Sequence, residues 1–339
     1  MTIEELTAFV TEELGEPKYR AGQIFQWLHK ERAETFEAMT NLSKTLRGKL
    51  KEETVLSGVR EVTKRIGGDG TRKYLFELSD GNRIESVLMR QSYGNSVCIS
   101  SQSGCRMGCS FCASTISGLK RNLAASEMLS QVYYIAGEIG ERVDHVVVMG
   151  MGEPMDNYDN VLRFLRLISD EKGQNLSQRN LTVSTCGIVP GIKKLAEERL
   201  QITLALSLHA PTQEKRASLM PVARSFPLPE VMDACEYYFE KTGRRVTYEY
   251  SLIAGRNDTE EDAAELIALL RGRNAHVNLI PVNPVEGKGY REPDRGALLR
   301  FKNKLEKNGI NSTIRKSMGR DIDGACGQLR LAYEKEVKK

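Results

Sequence analysis

From residue 96 onward, short apolar runs alternate with longer amphipathic stretches. This alternation constrains the fold more than any other feature of the 339 residues. The runs SVCISS, DHVVVMG, LTVSTCG, ITLALSL, VTYEYSLIAG and HVNLIPV are bounded by turn-forming residues and read as strands. ASEMLSQVYYIAG, NVLRFLRLI, GIKKLAEER, LPEVMDACEYYFEKT and EEDAAELIALLRGR, which separate them, place apolar residues three to four apart and read as helices. Alternating strands and helices imply right-handed parallel crossovers. Six such units predict an open barrel or a doubly wound sheet. Both gather ligands at the carboxyl ends of the strands.

The first 95 residues have a different character. YRAGQIFQWLHK and NLSKTLRGKLKE carry helical periodicity, with Asn41 or Ser43 placed to cap the second helix. VLSGVREVTKR, RKYLFELS and RIESVLMR are strand-like and separated by the turns GGDG and DGN. The expected organisation is a helical accessory domain over residues 1–53, an antiparallel connecting segment over 54–95, the α/β unit over 96–310 and a C-terminal segment over 311–339. Hydrophobic residues make up 40 % of the chain and charged residues 28 %, enough for a substantial core. No apolar run approaches the roughly 20 residues of a membrane span. The acidic start MTIEELTAFVTEELGE lacks the features of a secretory signal. The expectation is a cytoplasmic protein with no membrane partner, whose seven cysteines are ligands or catalysts rather than a disulfide framework.

Three of those cysteines fall in CRMGCSFC, residues 105–112, just past the first strand of the α/β unit. Three thiolates suit three irons of a 4Fe-4S cluster, leaving the fourth iron open to a ligand. Spacing alone leaves two alternatives open: zinc with a distant fourth ligand, or buried free thiols. MGMGEP ends the next strand. Its glycines permit close backbone approach, and Glu153 offers a carboxylate to a cationic amino group. Ser184, Ser207, His209 and Asn283 lie at the ends of later strands. Each alone reads as a cap or turn residue, but together they converge on one mouth. Cys98 lies upstream of the trio. Cys326 sits among glycines in DIDGACGQLR, a setting for an accessible thiol or simply for a small turn residue. Cys186 and Cys235 read as buried cysteines.

CxxxCxxC followed by a GEP strand end resembles the radical S-adenosylmethionine (SAM) superfamily. ESVLM, CISSQSGCRMGCSFCAST, GLKRNL, MGMGEPMDN, STCGIVP, LSLHAP, HVNLIPVNP and DIDGACGQLR occur together and in order, and resemble the RlmN/Cfr family within it. One departure is Ser103, where an apolar residue is expected. The resemblance covers nearly the whole chain and implies a partial (β/α)6 radical SAM barrel with a small N-terminal helical accessory domain. It assigns Cys105, Cys109 and Cys112 to one 4Fe-4S cluster. It assigns Gly152, Glu153, Ser184, Ser207, Leu208, His209 and Asn283 to SAM. Glu85 matches a proton acceptor, Cys326 a cysteine that is methylated, and Cys98 its transient disulfide partner.

The implied activity is methylation of carbon 2 of adenosine 2503 in 23S ribosomal RNA and of adenosine 37 in certain transfer RNAs, using two SAM per turnover. The implied partners are these RNAs and an unidentified electron donor, with the enzyme acting as a monomer. Within the family the rival is carbon 8 methylation, which gives antibiotic resistance; the intact GEP-M-DN stretch speaks for carbon 2. A rival of another class is a non-catalytic module binding zinc and RNA. Residues 271–339 hold 16 Lys/Arg against 8 Asp/Glu, which suits a polyanionic partner or equally a solvated basic face. Arg315, Lys316 and Arg320 are expected phosphate contacts.

Overall fold

The computed structural model describes residues 1–56, 58–283, 288–315, 318–322 and 328–337. The chain opens with three helices, α1 (Ile3–Ala8), α2 (Tyr19–His29) and α3 (Lys44–Glu53), with one π turn, Phe9–Glu13, directly after α1. Thr2 and Glu5 form a reciprocal capping box on α1, and Ser43 caps α3 by accepting the Leu46 N–H at 3.1 Å. Leu6, Val10, Ile24, Phe25, Leu46 and Leu50 make the apolar seam of this helical unit, each almost wholly buried.

Strands β1 (Arg60–Ile66), β2 (Arg72–Glu77), β3 (Arg83–Gln91) and β4 (Gly94–Cys98) follow as an antiparallel run. A small hairpin of β5 (Gln102–Gly104) and β6 (Leu119–Asn122) flanks the cysteine loop. Then come α4 (Ala125–Ile139), β7 (His145–Val148), α5 (Tyr158–Ser169), β8 (Leu181–Thr185), α6 (Val189–Glu197), β9 (Thr203–Ser207), α7 (Gln213–Leu219), α8 (Leu228–Thr242), β10 (Val246–Leu252), α9 (Glu260–Leu270), β11 (Ala275–Pro281), α10 (Arg295–Lys307), β12 (Asn311–Ile314) and α11 (Gln328–Val337).

Ten strands form one sheet in the order β1-β2-β3-β4-β7-β8-β9-β10-β11-β12. From β4 to β12 every neighbouring pair is parallel, so the connections between them are helical crossovers. The six strands read from the sequence are β4, β7, β8, β9, β10 and β11. β12 adds a seventh parallel strand; NSTI is too short and polar to stand out. The antiparallel strands are continuous with the parallel ones, so both share a core. α7 was also not foreseen, because QEKRASL carries no apolar stripe. Among the described residues, no helix is long and apolar enough to cross a membrane.

Side chains alternate across the sheet. Leu204, Leu206 and Leu208 face the helices and are fully buried, as are Tyr248, Tyr250 and Leu252 on β10. The intervening residues face the barrel interior. α6 packs its Gly191 against Met155, where an added Cβ would meet the Met155 Cβ at 2.7 Å. Gly191→Val should therefore overpack this contact by about 1–3 kcal/mol. A lowered thermal midpoint is expected; an unchanged midpoint would mean that α6 is free to shift.

Candidate active site

The interior face of the barrel carries polar side chains at the carboxyl ends of its strands. Ser184 is the last residue but one of β8 and Ser207 ends β9, with their hydroxyl oxygens 3.3 Å apart. On β10 the alternate positions Glu249 and Ser251 point the same way. Together with Cys105, Cys109, Cys112, Gly152, Glu153, His209, Asn283 and Arg315 they line one cavity of about 260 Å³. A larger cavity, about 500 Å³, lies between the N-terminal helices and α4 and holds none of the expected site residues.

Backbone geometry explains several of these residue types. Gly152 has φ 112°, and a Cβ there would approach the Gln102 Cβ at 2.7 Å, so only glycine fits the turn. Glu153 is buried. Its carboxylate accepts the N–H of Met155 at 3.0 Å and of Cys186 at 2.7 Å. Burial raises its pKa and these N–H groups oppose the rise. His209 adopts a left-handed backbone with φ 57°. Its Nδ1 accepts the Ser251 N–H at 2.9 Å, which leaves the ring proton on Nε2. Burial first, and the Arg216 charge second, hold its pKa near 3, so the imidazole stays neutral.

The three cysteines of the loop share the cavity. Burial pushes the Cys105 thiol up to about 12, and Cys109 is raised further, first by burial and then by Cys112 and Cys105. Thiols packed this way repel one another as thiolates and call for a multivalent cation. Among the described residues, no three His, Cys, Asp or Glu side chains converge on a single ion. One thiolate per iron of a cluster suits this spread better than a tetrahedral zinc site does.

Some expected residues lie elsewhere. Leu208 faces the core, and its N–H donates to the Glu249 carbonyl at 3.0 Å, so it does not line the cavity. Glu85 and Cys98 do not line the cavity; they lie on one face of the antiparallel strands, and Met149 of the cavity wall packs on the Cys98 cluster. Cys98 is the register partner of Val87, two residues along from Glu85. Cys98 packs with Val87 and Met89, and Met149 and Met318 cover this cluster. Glu85 is buried. Its Oε2 is 3.1 Å from the ammonium of Lys73, and its Oε1 accepts the Arg330 N–H at 2.6 Å. Cys326 and Lys316 lie outside the described residues, as does the Arg320 side chain. Arg315 is on the cavity wall, where its charge draws down the pKa of Glu249 against burial. Ser103 is buried with its hydroxyl 3.4 Å from the Arg83 carbonyl. Cys186 and Cys235 are buried, Cys186 on the cavity wall.

Lys73, Arg216 and Glu249 were missed in the sequence. Only Glu249 carried a signal, as a polar residue at an interior position of VTYEYSL.

The sequence family described as the Radical SAM superfamily matches residues 99–267, which contain the cysteine loop and most of the cavity. The ribosomal RNA large subunit methyltransferase N-terminal domain matches residues 1–56. A crystal structure of a radical SAM methyltransferase from Sphaerobacter thermophilus superposes with a TM-score of 0.93 at 45 % identity, covering 97 % of each chain. A protein of Lachnospira eligens, named a probable dual-specificity RNA methyltransferase RlmN, is 56 % identical over 99 % of this chain and 96 % of its own length. The chain belongs to the RlmN family of radical SAM methyltransferases. A further RlmN relative, from Lachnoclostridium phytofermentans, is 59 % identical over 98 % of this chain and 94 % of its own.

Membership of this superfamily implies a 4Fe-4S cluster and SAM, and the three thiols of the cavity fit the cluster. Cys109→Ala should leave one iron without a thiolate. After anaerobic reconstitution the variant should hold well under half the wild-type iron and lack the brown absorbance. Full iron content in the variant would remove Cys109 from the ligand set.

Proposed function

We propose that this RlmN-family enzyme methylates carbon 2 of adenosine in RNA, at position 2503 of 23S ribosomal RNA and position 37 of certain transfer RNAs. The proposal includes an S-methylcysteine at Cys326 and two SAM per turnover. One observation carries the reading of the residues. Cys98 and Glu85 share one sheet face and engage the chain on either side of residue 326. Met318, eight residues before Cys326, packs on the Cys98 cluster. The N–H of Arg330, four residues after Cys326, donates to Glu85. The similarity of the relatives named RlmN supports carbon 2 over carbon 8.

Cys105, Cys109 and Cys112 would hold the cluster, and Gly152, Glu153, Ser184, Ser207, His209 and Asn283 the SAM, with Leu208 contributing backbone only. Bound there, cluster and SAM supply a 5′-deoxyadenosyl radical. The residues of the chain supply the rest. Glu153 offers a buried carboxylate to the SAM amino group. Neutral His209 offers a proton donor at Nε2 without adding charge. Cys326 carries the methyl carbon to the base, because carbon 2 of adenine is electron-poor and no nucleophile toward a sulfonium methyl. Glu85 accepts the carbon 2 proton. Lys73, wholly buried, keeps that carboxylate oriented. Cys98 releases the product by forming a disulfide with Cys326. The basic residues of the C-terminal part meet the phosphate backbone. The enzyme acts as a monomer in the cytoplasm, supplied by an electron donor of its host.

Order of action separates the two thiols. Cys326→Ala should form no methylated adenosine. Cys98→Ala should form the Cys326–adenosine bridge and stall, giving an enzyme–RNA complex that survives a denaturing gel. Normal yields of 2-methyladenosine from Cys98→Ala, with nothing trapped, would remove Cys98 from the chemistry. Mass spectrometry of the nucleosides separates 2-methyl from 8-methyl adenosine.

A further inference from the structure

Arg216 on α7 is the largest fully buried side chain of the molecule among the described residues. Its Nη2 donates to the Cys186 carbonyl at 2.6 Å and to the Ser207 carbonyl at 3.3 Å. Its Nε and Nη1 have no hydrogen-bond partner among the described residues. Among the described residues it forms no ion pair with a carboxylate. A guanidinium cannot shed its proton to escape burial. A buried cation in this state is strongly unfavourable unless an anion answers it.

The neighbourhood indicates which anion. Both residues whose carbonyls Arg216 holds, Cys186 and Ser207, line the cavity that contains Cys105, Cys109 and Cys112. The acid nearest along the hydrogen-bond network, Glu153, is separated from Arg216 by the backbone of Cys186. The Cys186 N–H binds Glu153 and the Cys186 carbonyl binds Arg216. α7 is also fastened to the cysteine loop. The Leu219 carbonyl at its end accepts the Ser110 N–H at 2.9 Å and the Ser110 hydroxyl at 3.2 Å. Hydrogen bonds thus tie α7 to the loop, and two carbonyls hold the guanidinium on the cavity wall.

We propose that Arg216 is the fixed countercharge of the iron–sulfur cluster, and that its charge sets how readily the cluster accepts an electron. The inference rests on the cluster reading of Cys105, Cys109 and Cys112. A 4Fe-4S cluster on three thiolates is anionic, and one-electron reduction adds a further negative charge. A buried cation stabilises the reduced form more than the oxidised form, the more so where water is excluded. The same cation is uncompensated when no cluster is bound. Arg216 is in this sense a positioning residue of electrostatic kind. It is not assigned contact with SAM or RNA.

The test uses the full chain as wild type, Arg216→Gln and Arg216→Lys. Glutamine keeps a donor for the carbonyls and removes the charge; lysine keeps the charge. Each is reconstituted anaerobically, and the cluster midpoint potential is measured by redox titration followed by electron paramagnetic resonance, without SAM. Thermal midpoints are taken with and without cluster. For Arg216→Gln the potential should move negative by about 59 mV or more, a tenfold change in a one-electron equilibrium. Arg216→Lys should stay closer to wild type. Without cluster, Arg216→Gln should be no less stable than wild type, and loading should stabilise it less. A wild-type potential in Arg216→Gln at full iron content, or an equal gain on loading, overturns the proposal. Arg216→Met supplies the same readings if Arg216→Gln does not fold. A wild-type chain that forms no iron–sulfur chromophore would defeat the cluster reading itself, a failure distinct from that of Arg216.

Discussion

The carboxylate of Glu153 is the junction on which the site depends. It is buried in the turn after β7 and satisfied by two backbone N–H groups, one from its own turn at Met155 and one from Cys186 past the end of β8. The Glu153 N–H in turn donates to the Gln102 side chain at 2.8 Å, next to the cysteine loop. One residue therefore ties together the segments after β4, β7 and β8. A buried carboxylate without these bonds would be costly, so the strand ends cannot drift apart without exposing it. The Cys186 backbone extends the junction to Arg216, and α7 extends it to Ser110 between two of the cysteines. Acid, peptide and guanidinium form one polar wall behind the cavity.

The antiparallel strands serve a second purpose. They continue the barrel sheet beyond β4 and offer a face on which the C-terminal part docks. Asp69 of the β1–β2 turn accepts the Gly319 N–H at 3.0 Å, and Asp321 accepts the Gly68 N–H at 2.9 Å. On the other side of residues 323–327, Arg330 binds Glu85, and Arg83 lies over the Tyr333 ring at 4.9 Å. The buried Lys73–Glu85 pair sits between these anchors. Such a buried ion pair contributes little net stability over apolar packing.

Much of this was legible in the residues. The six strands of the barrel stood out because each is fully covered on its helical face and needs a branched apolar run. The strand-end residues stood out because they interrupt those runs at one end only. β12 did not, since NSTI is an edge strand with few apolar residues. α7 did not, because a seven-residue helix held by its cap and by Leu219 needs no periodic stripe. Leu208 illustrates the limit of motif reading. It lies between Ser207 and His209 in SLHA, yet strand alternation turns it into the core.

The sequence by itself determined the alternation of the six barrel strands with helices, the glycine turn at Gly152 and the presence of three clustered cysteines. These follow from local preferences and spacing, which need no knowledge of neighbours. Only the tertiary structure decided that Lys73 meets Glu85, that Cys98 shares their sheet face and that Arg216 stands behind the cysteine loop with no carboxylate partner among the described residues. Those relations depend on register between strands and on burial. Burial turns an ordinary lysine or arginine into a charge that must be answered, and nothing in the linear pattern marks which charge will be enclosed.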